Sequence, residues 1–96
     1  MLVNVVNAKY VDGYRIEVAF NNGRTGIADF GEALKGPVFE KLRDESEFRR
    51  FEVHKELDTV VWANGADLAP EYIYFQAFKD DSSLHEQFRD WGYLAN

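Results

Sequence analysis

The chain has 96 residues, of which 46% are hydrophobic and 16% aromatic, with 11 basic side chains against 17 acidic ones and a formal charge of −6. That is the size of one compact domain, too apolar for a disordered tail and too interrupted by charge for a membrane span. The acidic balance opposes direct binding to nucleic acid, and the absence of cysteine excludes a disulfide framework, a thiol nucleophile, a zinc ribbon and an iron–sulfur site.

Three stretches of alternating apolar residues open the chain, at 2–11, 14–21 and 24–30, separated by Asp12-Gly13 and Asn22-Gly23. They predict a three-stranded antiparallel meander. A two-residue turn at Asn22-Gly23 would set Phe20 opposite Thr25, Val18 opposite Ile27 and Ile16 opposite Asp29, burying the Tyr14/Ile16/Val18/Phe20 face. Asp29 would then lie at the end of the apolar face. At the first turn, a three-residue loop Val11-Asp12-Gly13 with Gly13 left-handed pairs Tyr10 with Tyr14, Ala8 with Ile16 and Val6 with Val18.

Beyond Phe30 the period changes. Pro37 suits a first helical position, and Val38, Phe39 and Leu42 share a helical face, predicting a short helix over about 37–43. Asp44 and Glu47 have capping-box spacing ahead of Phe48 and Phe51. Residues 51–56 and 59–63 alternate again around Leu57-Asp58 and predict a second hairpin. Pro70 opens a further helix rich in aromatics. Finally, Ser83 and Glu86 read as a capping box for an amphipathic helix in which Leu84, Phe88 and Trp91 recur at i, i+4 and i+7, ending near Gly92.

Charge is distributed unevenly. Residues 1–36 balance, whereas residues 59–96 carry two basic and six acidic side chains, so a basic partner would meet the C-terminal half. The N-terminal MLVNVVNAKY lacks the basic and apolar regions of a signal peptide, which makes the cytoplasm the expected location.

Val60 to Tyr74, VVWANGADLAPEYIY, resembles the signature of the bacterial domain-of-unknown-function 2442 family, a strand ending in Trp followed by Asn-Gly-Ala-Asp and Pro-acidic. Trp62, Asn64, Gly65, Ala66, Asp67, Pro70 and Glu71 match, and Ala63 stands where many members carry proline. Phe20-Asn21-Asn22-Gly23, Asp29 and the segment 42–48 follow the family's order of parts, so the resemblance spans roughly residues 3–75, with a helical extension at about 79–96. It implies an α+β domain from a bacterium or phage. In some members it implies an attached helix-turn-helix domain or a gene neighbour resembling a toxin–antitoxin partner. The residues beyond the match are too few for a helix-turn-helix, so DNA binding is not carried over.

Several constellations could carry function. Trp62, Asn64 and Asp67 offer an indole, an amide and a carboxylate on one loop. Against that stands a structural role for each: Trp62 in the core, Asn64-Gly65 in a turn, and Asp67 capping the helix that starts near Pro70. Asp29, Asp67 and Glu71 would serve acid–base work or a hard cation only if the fold brings them together, and an Asp that follows a strand more often bonds the next turn. His54 and His85 lack metal-site spacing, so neither a metal nor a cofactor is expected. No phosphate-binding glycine pattern or nucleophile elbow supports an enzyme. Arg43, Arg49 and Arg50 sit among Asp44, Glu45 and Glu47 and read as a solvated helix face. Leu84, Phe88 and Trp91 place apolar area on a helix too short to stand alone, which either packs back on its own domain or crosses to a partner.

The sequence therefore predicts one α+β domain over residues 1–96: a three-stranded meander, a second hairpin, short helices on one face and a C-terminal helix. Its expected role is a protein-interaction or regulatory module that pairs with a protein partner or with itself. The alternative is a small-molecule site or enzyme pocket near Trp62, Asn64 and Asp67.

Overall fold

The computed structural model describes residues 3–94. Among them the chain order is β1 (Val5–Asp12), β2 (Arg15–Phe20), β3 (Thr25–Asp29), α1 (Pro37–Glu40), a 3-10 turn (Lys41–Arg43), α2 (Glu45–Phe48), β4 (Phe51–His54), β5 (Thr59–Trp62), α3 (Pro70–Phe78), a second 3-10 turn (Ser82–Leu84) and α4 (His85–Asp90). The first three strands form an antiparallel sheet in the order β1-β2-β3, and β4 and β5 form a separate hairpin. The architecture is the α+β arrangement expected. No helix among the described residues is long and apolar enough to cross a membrane.

Strand β2 alternates as its sequence dictates, with Ile16, Val18 and Phe20 buried and Arg15 and Glu17 exposed. Both flanking registers differ from expectation. Asp12 pairs with Arg15, so Gly13 and Tyr14 form the turn, with Gly13 taking the positive φ of 47°. A register shift between Tyr10 and Asp12 leaves Val11 unpaired, and Tyr10 then faces Ile16 and Ala8 faces Val18. The strand thus slips by two residues relative to the three-residue loop, which keeps Ala8 and Tyr10 on their intended face because the side-chain period is two. A bulge absorbs the extra residue, while two hydrogen bonds of 2.7 Å between Asp12 and Arg15 close the turn. A second register shift, between Val5 and Asn7, buries Val5 and leaves Val6, expected opposite Val18, 57% exposed.

At the second turn the slip is by one residue, which reverses a face. Ala19 pairs with Thr25, Glu17 with Ile27 and Arg15 with Asp29. Asn21-Asn22-Gly23 is a three-residue loop closed by the Phe20 N–H donating to the Arg24 carbonyl (2.9 Å), with Gly23 at φ 85°. Ile27 is consequently 45% exposed, and the inner face of β3 carries Gly26, Ala28 and Phe30 instead. Small residues there let α3 lie close: a Cβ on Gly26 would stand 2.7 Å from the Phe78 ring.

The core joins this face to Leu34, Leu42, Phe48, Val60, Trp62, Ile73, Tyr74 and Phe88. Pro37 begins α1 and Pro70 begins α3, where a missing N–H is harmless. Asp44 caps α2 by accepting from the Ser46 N–H and hydroxyl at 3.0 and 2.7 Å. Glu47 does not return the bond and instead meets Arg50, so the expected capping box is half formed. The last helix, α4, has no side-chain cap at its N-cap residue Leu84, and the capping falls on the 3-10 turn ahead of it. Asp81, not Ser83, is the acceptor, taking the Ser83 N–H and hydroxyl at 3.0 and 2.6 Å. The Val5 N–H donates to the Asp58 carbonyl at 2.9 Å and ties the meander to the tip of the second hairpin.

Candidate functional site

The loop after β5 carries the candidate indole, amide and carboxylate, and the fold buries Trp62 while leaving Asn64 and Asp67 exposed. Trp62 is 3% exposed, packed edge-to-face on Phe30 and tilted against Phe48, and its Nε1–H donates to the Phe48 carbonyl at 2.8 Å. Asn64 makes an Asx turn in which its Oδ1 accepts from the Ala66 N–H (3.1 Å), while its Nδ2 donates to the Val38 carbonyl (3.0 Å). Gly65 supplies the left-handed residue at φ 89°. The Trp62 N–H accordingly reaches the Ala66 carbonyl at 2.8 Å and Asp67 bridges back to Val61. In this loop the indole and the amide serve to fasten α1, α2 and β5 together.

Asp67 does not cap α3. Ala69 is the N-cap residue and makes no side-chain cap bond, because the chain between Asp67 and Pro70 is extended by the bridge to Val61. The helix's approach is instead fixed upstream, where the Thr59 hydroxyl donates to the Leu68 carbonyl. Asp67 points to solvent.

The other carboxylates are dispersed. Asp29 faces outward opposite Arg15, not along the apolar face, and its Oδ1 accepts from the Gly31 N–H at 2.9 Å. Beyond it lies a shallow hollow of about 130 Å³ shared with Glu32, Gln76 and Lys79. Glu71, in the first turn of α3, is half-buried and contributes to raising the Tyr93 hydroxyl pKa, which burial raises most and Tyr72 raises further. Among the described residues no three His, Asp or Glu side chains converge where they could hold a metal ion. His54 accepts the Glu56 and Leu57 N–H groups on Nδ1 at 3.2 Å, as a hairpin residue, and His85 Nε2 lies 3.0 Å from the Lys79 carbonyl.

Phe88 is fully buried against Phe75 and Tyr74, with Leu84 and Trp91 half-buried beside it. The terminal helix docks on α3 of its own chain, and Phe88 has no surface left to offer a partner. An electrostatic clamp that the sequence did not disclose completes this end. Arg24, from the β2–β3 loop, lies over the Phe78 ring at 4.3 Å and pairs with Asp81 at 2.9 Å. The Ser83 hydroxyl, then Arg24, then the Ser83 N–H hold the Asp81 carboxyl down to about 2. Alongside, Asn22 Nδ2 donates to the Tyr74 hydroxyl at 3.2 Å.

A groove of about 230 Å³ beside Trp62 is lined by Arg50, Phe51, Glu52 and Ala63. Neither Asn64 nor Asp67 reaches it, so the three residues of the expected pocket do not share a cavity.

Residues 5–79 match the family described as a protein of unknown function, DUF2442. The chain belongs to this family. The match extends from β1 through α3 and takes in the whole loop from Trp62 to Pro70; the second 3-10 turn and α4 lie outside it. No curated protein matches the chain. The fold is similar to a solved structure from Nitrosomonas europaea, a "Putative DNA Binding Protein", with a TM-score of 0.75 and 21% sequence identity. That similarity covers 94% of this chain and 59% of that one. It establishes a shared fold that includes the α4 region as well as the DUF2442 part.

Proposed function

We propose that this DUF2442 chain is a protein-interaction module of a regulatory kind, which binds a basic protein partner through its C-terminal helical layer. The observation that carries this reading is the charge of that layer. Asp80, Glu86 and Asp90 are all exposed on α4 and the segment joining it to α3, with Asp67 exposed ahead of α3. Only Lys79 and Arg89 oppose them within residues 59–96. Exposed acidic side chains of one sign steer a cationic surface toward them and repel phosphate. An antitoxin-like regulator, whose partner is a basic protein, suits this surface.

The test is affinity purification from the source organism with the wild-type chain and with the triple variant D80K/E86K/D90K, at low and at high salt. One basic protein retained by the wild type at low salt, and lost both at high salt and with the variant, is the expected result. Equal retention by the variant, or no retained protein, overturns the reading.

A further inference from the structure

His54 ends β4, and its imidazole fastens the loop that follows. Nδ1 accepts the N–H groups of both Glu56 and Leu57 at 3.2 Å, while the His54 carbonyl accepts the Asp58 N–H at 2.8 Å. A ring nitrogen that accepts carries no proton, so the ring proton sits on Nε2 and the imidazole of this closed loop is neutral. These bonds hold residues 55–58 in a tight turn that ends on Asp58, the one non-glycine among the described residues with a positive φ, 54°. From that conformation the Asp58 carbonyl meets the Val5 N–H at 2.9 Å. A single nitrogen lone pair thus stands beneath a run of contacts that leads from the hairpin tip to β1.

We infer that His54 is a pH-sensitive latch, whose protonation at Nδ1 releases the loop at residues 55–58 and with it the tie between the second hairpin and β1. A proton on Nδ1 turns the acceptor into a donor and sets it against two N–H groups, an arrangement that cannot stay closed. Among the described residues no other group accepts from either N–H. Asp58 holds its left-handed conformation at a cost that the closed turn sustains, so an open turn also withdraws the carbonyl from Val5. The charged groups around the ring are Glu52, Lys55 and Glu56 along its groove and Asp58 in the loop. Strand β5 carries none, and β1, which lies against β4, carries Lys9 and Asp12. None of these is ion-paired with the imidazole among the described residues. The start of β1 is held independently, by the Asn4 N–H on Asn21 Oδ1 and the Asn21 N–H on the Asn4 carbonyl, both at 3.0 Å. The latch can therefore open as a local event while both sheets stay folded.

Two-dimensional NMR of the full chain reads the latch directly, from about pH 7.5 downward until the His54 ring protons have completed their titration. Nitrogen-15 spectra of the ring at the upper end should show the proton on Nε2. The amide temperature coefficients of Glu56, Leu57 and Val5, small for a bonded N–H, should all move to free-amide values as His54 titrates, while those inside β2 stay unchanged. His54→Asn places at the δ position an acceptor oxygen that takes no proton, and it should keep the three amides bonded throughout. His85→Gln, at the other histidine, should respond as the wild type does. A neutral ring protonated on Nδ1, three amides still bonded after His54 has titrated, an undiminished response in His54→Asn, or its loss in His85→Gln each overturns the inference. Should His54→Asn fail to fold, the wild-type tautomer and the three amides decide alone.

Discussion

Gly26 on β3 and Phe78 at the end of α3 are in contact so close that a methyl group on the glycine would stand 2.7 Å from the phenylalanine ring and 3.3 Å from the Ala77 Cβ. This contact sets how near the helix lies to the sheet. Around it Phe78 also meets Phe20, Tyr74 and the Arg24 guanidinium, so the ring cannot simply swing away.

Substituting Gly26→Ala should therefore destabilise the domain by about 1–3 kcal/mol, the usual cost of overpacking, despite the better strand propensity of alanine. Urea denaturation would show a lower midpoint with an unchanged slope.

Trp62→Phe keeps most of the apolar volume and deletes one donor. The Phe48 carbonyl, buried at the end of α2, is left without the indole N–H it accepts at 2.8 Å. Leaving such a group unpaired costs about 1–3 kcal/mol, which equilibrium denaturation followed by circular dichroism would measure.

Phe88→Ala should cost about 3–5 kcal/mol, a large part of the roughly 5–15 kcal/mol that holds a typical domain. The side chain is fully buried between Phe75, Tyr74 and Trp91. Thermal melting of the variant would show a markedly lowered midpoint, whereas a helix reserved for a partner would leave the isolated chain almost unchanged.

Asp81 makes stability depend on acidity. Its folded pKa of about 2 lies below the unfolded value of 3.8, so its contribution is fully present above 3.8 and disappears as pH falls through about 2. Melting temperatures of the wild type and D81N should differ most at neutral pH and converge toward pH 2.

The alternation in β2, the prolines that open α1 and α3 and the i, i+4, i+7 pattern of the last helix carry enough period and punctuation to be read directly. The registers on either side of β2 do not. Whether Asn22-Gly23 closes a loop of two residues or three depends on whether Gly26 or Ile27 faces α3, and that is decided by packing against Phe78, fifty-two positions away. The Trp62 loop was legible as a loop and as a family signature. The partners of Asn64 and Trp62, the carbonyls of Val38 and Phe48, belong to backbone and leave no trace in side-chain pattern. Asp67 misled for a related reason, since its spacing from Pro70 suits a cap but the bridge to Val61 holds the intervening chain extended. One further signal does stand in the sequence. Asp44-Glu45-Ser46 and Asp81-Ser82-Ser83 share an Asp-x-Ser pattern, and in both the aspartate takes the serine N–H and hydroxyl. Asp81 could have been assigned as a cap from that repeat alone.

The bond from the Val5 N–H to the Asp58 carbonyl joins two sheets that are otherwise separate ladders. Asp58 adopts a left-handed φ of 54°, and that conformation sets where its carbonyl points. The Val5 amide is therefore a natural clock for the seam between meander and hairpin. In hydrogen–deuterium exchange it would record the two sheets parting even while the strands inside each remain paired and protected.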